Sequence, residues 1–99
     1  MKKVTMYIGL NDKDSKIQEI TTIEAYKIVN RVLNDCTIVE GKGKYTHADG
    51  SITTEATLIV TVFDFDNKFN IKDACDKLKL ILNQEAIAVS VENIDSQLY

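Results

Sequence analysis

The chain has 99 residues, 44% of them apolar and 27% charged, and fifteen acids against twelve bases leave a formal charge of −3. Such a composition suits one modest core, while the negative balance offers no general field for phosphate backbones, so nucleic-acid binding is disfavoured. No apolar run approaches the roughly 18 residues that cross a bilayer, and MKKVTMYIGL enters polar NDKDSK too early for a signal peptide, so a cytoplasmic protein without a membrane partner is expected.

KVTMYIGL (3–10) alternates Val4, Met6 and Ile8 with Thr5, Tyr7 and Gly9, the period of a half-buried strand. NDKDSK interrupts it and reads as a solvated loop in which Asp12 and Asp14 are available to a basic partner; as a calcium loop it fails, with Ile17 where glycine is required and Ile23 where glutamate is. Thr21 with Glu24 forms a capping box, and Ala25, Ile28, Val29, Val32 and Leu33 follow at helical spacing, ending at Asn34 and Asp35. CTIVEGKGKYTH is the next strand, Asp49-Gly50 a hairpin turn, and TTEATLIVTVFDF its partner. Asn70 with Asp73 opens a second helix carrying Ile71, Ala74, Cys75, Leu78, Ile81 and Leu82 on one stripe, with Asn83 suited to a left-handed close. AIAVSVENI is the last strand. Leu98 and Tyr99 at the tail are expected to dock on the chain itself or on a neighbour.

The order strand, helix, strand, strand, helix, strand predicts a ferredoxin-like βαββαβ fold over residues 1–99: a four-stranded antiparallel sheet with both helices on one face. Right-handed crossovers place the first and third strands side by side in the centre. Proline is absent and no linker or repeat divides the chain. Cys36 and Cys75, lacking CxxC or Cys-His spacing, read as small buried hydrophobes in a reducing compartment.

Two helices cover one face only. The other would expose Tyr7, Thr57, Ile59, Thr61 and Phe63, with Ala86, Ala88 and Ser90, which is more apolar than a solvated antiparallel face requires. Packing of this face on a second copy is the preferred expectation, with Tyr7, Ile59, Thr61 and Phe63 as the oligomer interface and a groove between subunits for a small molecule.

The remaining chemistry lies in GKGKYTHADGSITTE (41–55). Gly41 and Gly43 signal a bulge, a bend or a close approach; GKGK lacks the length and the GK[ST] ending of a phosphate loop. Lys42 and Lys44 share one face, away from Tyr45, and would attract a small anionic ligand or serve only to protect a strand edge. The expected ligand-binding set is Tyr7, Lys42, Lys44, Tyr45, His47 and Glu55. His47, the only histidine, with Asp49 and Glu55 is the sole acid-base set; it falls short of a zinc site, so neither a metal nor another cofactor is expected.

YIGLNDKDSK, TTIEAYKIV, YTHADGSITTEATLIV and LNQEAIAV together resemble small proteins carried by bacteriophages and mobile elements of gut bacteria. The resemblance spans nearly the whole chain but brings no established active-site motif; it implies an accessory protein that blocks or sequesters part of a host defence system. In architecture alone the chain also resembles trimeric PII-like and dimeric ferredoxin-like signalling proteins, without a PII-like nucleotide loop. The leading expectation is a non-enzymatic, homo-oligomeric binding protein that holds a small ligand or a host protein. The alternatives are a small enzyme using His47 as general base, assisted by Glu55 or Asp49 in an intersubunit pocket, and a protein-mimicking inhibitor acting through its acidic surface.

Overall fold

In the computed structural model, which describes residues 1–95, 97 and 99, the chain runs β1 (Lys2–Gly9), α1 (Thr22–Val32), β2 (Thr37–Thr46), β3 (Ile52–Asp64), α2 (Ile71–Ile81) and β4 (Ala88–Asn93). The strands form one antiparallel sheet in the order β2-β3-β1-β4, the ferredoxin-like arrangement with β1 and β3 central.

Local chemistry explains the helix boundaries. The Thr21 hydroxyl accepts from the Glu24 N–H at 3.1 Å while the Glu24 carboxylate reaches back to the Thr21 N–H, completing the capping box. Asn70 Oδ1 accepts from the Asp73 N–H at 2.9 Å in the same role for α2. Asn83 adopts φ 48° just after α2, the left-handed conformation that lets an asparagine end a helix. In the hairpin, Gly50 at φ 85° takes the turn's left-handed position, and the His47 N–H donates to the Ser51 carbonyl at 2.8 Å to close it.

Alternation along the strands puts Val4, Met6, Ile8, Leu58, Val60 and Val62 beneath the helices, where they pack with Ala25, Val29, Leu33, Ala74, Leu78 and Leu82. Cys36 and Cys75 are free thiols at the margin of this core, partly rather than fully buried. Burial pushes both thiols above their ordinary pKa, with Asp35 adding to the effect on Cys36, so neither is primed as a nucleophile.

The pairing register identifies the opposite face directly, since residues opposite one another share a side. Tyr7 lies across from Ile59 and Ala88, Thr5 from Thr61 and Ser90, and Lys3 from Phe63 and Glu92. No helix covers these groups, and Tyr7 and Phe63 are each 45% exposed. Phe63 stacks on Phe65 with ring centroids 6.2 Å apart. Tyr99 stands fully exposed rather than docked, and Leu98 lies outside the described residues.

Candidate active site

At the hairpin end of the sheet, the turn of β2-β3, the loop after β1 and the segment after α2 enclose a cleft of about 530 Å³. Its walls include Asn11, Asp12, Lys16, Tyr45, His47, Asp49, Thr53, Glu55 and Gln84. The volume falls within the range of small-molecule sites, ~300–1,000 Å³.

Beside the cleft, the sheet under Glu55 is rich in glycine. Gly9 pairs with Thr57, Thr57 with Gly41, and Gly43 with Glu55, so three of the chain's four glycines neighbour one another on the open face. The β2-β3 register runs without interruption, which excludes a bulge and leaves close approach as the reason for Gly41 and Gly43. A β-carbon at Gly43 would stand 2.8 Å from Thr57 Oγ1 and 3.5 Å from the Tyr45 hydroxyl; one at Gly41 would press on Ile59 at 3.3 Å. The space left open at Gly9 and Gly43 is taken by the polar side chains of Glu55, Thr57 and Tyr45.

Glu55 is the central one. It comes from β3, is partly buried, and its Oε2 accepts the Asn11 N–H at 2.8 Å. Burial, and then the adjacent Glu55 carboxylate, hold the Tyr45 hydroxyl above its ordinary pKa and thus protonated at neutral pH. Thr57, 7% exposed, has a hydroxyl with no hydrogen-bond partner among the described residues. A buried hydroxyl left unpaired costs about 1–3 kcal/mol.

The surrounding loop is fixed by the segment after α2. Asn83 Nδ2 donates to Asp12 Oδ1 at 2.7 Å and Asp14 Oδ2 at 2.9 Å, the Lys13 N–H donates to the Asn83 carbonyl, and Gln84 Nε2 donates to the Asn11 carbonyl at 2.7 Å. Asp12 and Asp14 therefore hold the loop in place. The Asn83 amide, then the Ser15 and Asp14 N–H groups, keep the Asp12 carboxyl below its ordinary 3.8. An unfolded chain takes up this proton at a higher pH than the folded chain, so the stabilisation is complete above 3.8 and is lost as pH falls through the lower folded value. Asp12→Asn is expected to lower the thermal midpoint at pH 7 and to narrow its difference from the midpoint at strongly acidic pH. An unchanged difference in thermal scans at the two pH values would remove Asp12 from the loop's support.

The six residues expected to bind ligand do not all meet. Tyr45, His47 and Glu55 line the cleft; Tyr7 sits on the same face of the sheet but outside the cleft. Lys42 is opposite Ala56 and Lys44 opposite Thr54, on the side of β2 turned away from Tyr45 and Glu55. Cleft charges are Asp12, Asp49, Glu55 and Glu85 against Lys13 and Lys16, an excess of acid that favours a cationic group over an anionic one. His47 Nε2 is bonded to Thr53 Oγ1 at 2.7 Å, and Asp49 is occupied by the Ser51 hydroxyl and N–H, which keep its carboxyl below the ordinary value. His47 and Asp49 are thus both engaged within the turn. Gly9, Asn11 and Thr57 were not evident as site residues from the sequence; the only available signal was a glycine at the end of a strand facing another glycine-containing strand across a threonine.

A second recess, of about 390 Å³, lies at the far end of β3 between Leu33, Asp64 and Phe69. Its buried carboxylate, Asp64, already accepts the N–H groups of Lys68 at 3.0 Å and Phe69 at 3.2 Å.

No family model and no curated protein matches the sequence. Solved structures do. A phage SAM lyase in complex with S-methyl-5′-thioadenosine superposes with a TM-score of 0.71 at 19% identity, covering 92% of this chain and 79% of that one. A phage SAM lyase in the apo state gives 0.66 at 20% identity, covering 92% and 78%. The chain shares its fold with these enzymes.

This finding corrects the expectation of a non-enzymatic binding protein. That expectation rested on finding no assembled catalytic constellation in the sequence, because Glu55 was weighed only as an assistant to His47. Folding instead seats Glu55 among Asn11, Tyr45 and Gly9, brought together from separate strands and the loop after β1. Among the described residues, no helix is long and apolar enough to cross a membrane.

Proposed function

We propose that the chain is a SAM lyase, cleaving S-adenosylmethionine in the hairpin cleft with Glu55 as substrate anchor. The observation that carries the reading is the seated Glu55 carboxylate beside a protonated Tyr45 hydroxyl, in an acid-rich cleft of a fold shared with phage SAM lyases. The substrate brings a sulfonium and an ammonium, and its net positive charge suits these walls.

S-methyl-5′-thioadenosine is what remains of SAM when the bond between sulfur and the methionine Cγ breaks. Without water, two routes reach it. In an elimination, a base must take a proton from carbon, a demand that the second route does not make. In an internal displacement, the substrate's own carboxylate oxygen forms a bond to Cγ as the Cγ–S bond breaks, and the sulfur keeps the electron pair. The products are methylthioadenosine and homoserine lactone; no proton moves and no oxidant is needed. What the protein must supply is a folded-back substrate geometry. In this reading Glu55 holds the ammonium, and the Tyr45 hydroxyl, which lines the same cleft, serves the remaining polar groups.

The open face, with Tyr7, Ile59, Thr61 and Phe63, is proposed to pack on a second copy, which would close the cleft's exposed side. Loss of SAM also gives the expected action against a host defence a chemical route, through withdrawal of a methyl donor.

The test is incubation of the purified protein with SAM and chromatography of the products. Methylthioadenosine and homoserine lactone in equal amounts are expected; SAM unchanged, or decarboxylated or demethylated products, would refute the reading. Native mass spectrometry of the same sample reads the number of chains, and a lone chain would remove the second copy.

A further inference from the structure

We infer that Gly9 is a positioning residue for Glu55, its missing β-carbon forming the seat that aims the carboxylate into the cleft. Glycine loses more conformational freedom on folding than any other residue, so its presence at the end of β1 calls for a reason. The backbone gives none: Gly50 is the glycine with positive φ, and Gly9 is extended strand opposite Thr57, where any residue fits. The neighbourhood does give one. The three heavy atoms nearest to a β-carbon built on Gly9 all belong to the Glu55 carboxylate: Oε1 closest, then Cδ at 2.6 Å and Oε2 at 2.8 Å. These are the far end of a flexible side chain, so alanine would push the carboxylate off the sheet with little demand on the fold. Two residues later in the chain, the Asn11 N–H holds Oε2 from the other side. β1 therefore places Glu55 twice, once by an absent side chain and once by a backbone donor.

The inference rests on the reading of Glu55 as the substrate anchor, and the experiment separates the two. Gly9→Ala is made in the full chain, alone and with Glu55→Gln, and two signals are followed: SAM cleavage, and the Asn11 amide in a ¹H–¹⁵N correlation spectrum. The expected result is a folded protein whose Asn11 amide moves upfield as its hydrogen bond is lost, and whose kcat/KM falls on the order of 10²-fold, as about 1 Å of misplacement can cause. In the Glu55→Gln background, Gly9→Ala is expected to change cleavage little, because the group it displaces no longer anchors substrate. An Asn11 amide that stays in place, or full activity, overturns the inference. If the parent does not cleave SAM, the lyase reading fails while the Asn11 amide still tests the seat. Should Gly9→Ala fail to fold, Gly9→Ala with Glu55→Ala is compared with Glu55→Ala by thermal unfolding; equal midpoints support the seat, and failure of the double variant as well refutes it.

Discussion

Glu55→Gln is expected to lower SAM cleavage by about 10²–10³-fold, the scale seen when one preorganised electrostatic group is removed from an active site. Glutamine has nearly the same shape, so it can lie over Gly9 and present its amide oxygen to the Asn11 N–H 2.8 Å away from the present Oε2. Its amide nitrogen then faces the cleft as a donor, where a substrate ammonium needs an acceptor, and the negative charge is gone. Glu55 is partly buried and makes no ion pair among the described residues, so thermal stability is expected to change little. Cleavage assays and thermal unfolding on the same preparations check both parts. A variant as active as the parent would take Glu55 out of the reaction, and one that is inactive because it no longer folds would do the same for the role assigned here.

The largest stability effect is expected at Leu78. This side chain is 0% exposed on the inner stripe of α2, against the central strands and α1. Leu78→Ala leaves a cavity in a close-packed interior and should cost about 2–5 kcal/mol. At about 4–8 °C per kcal/mol for a domain of this size, the thermal midpoint should fall by at least about 8 °C. Leu80, two residues on and 83% exposed, provides the comparison: Leu80→Ala is expected to stay within about 0.5 kcal/mol of the parent. Equal losses at the two positions would mean that α2 does not pack by this face.

Residue pattern alone accounts for most of the architecture. The alternation of Val4, Met6 and Ile8, the box between Thr21 and Glu24, the Asn70 cap, Asn83 at the helix end and the Asp49-Gly50 turn are local signals, each set by residues within a few positions of one another, and each has its expected form. Once the six elements are in place, crossover handedness leaves little freedom in strand order. The open face was likewise legible, because a strand's two sides follow from odd and even positions.

The site was only half legible, and the dividing line is distance along the chain. Tyr45 and Glu55 stand out in the hairpin because they are chemically rich and close together in sequence. Nothing in the hairpin indicates that the partner of Glu55 is the Asn11 N–H, 44 residues away, or that its seat is Gly9 on a neighbouring strand. Lys42 and Lys44 lie within three residues of Tyr45 in sequence yet point to the other side of β2, and His47, chemically the most conspicuous residue, is used by Thr53 at the turn. Composition and periodicity determined which elements form and which faces they bury, because those depend on spacing within one segment. Only the tertiary structure decided which polar groups meet, since strand register brings β1, β2 and β3 together and the absence of three β-carbons lets their side chains lie in contact.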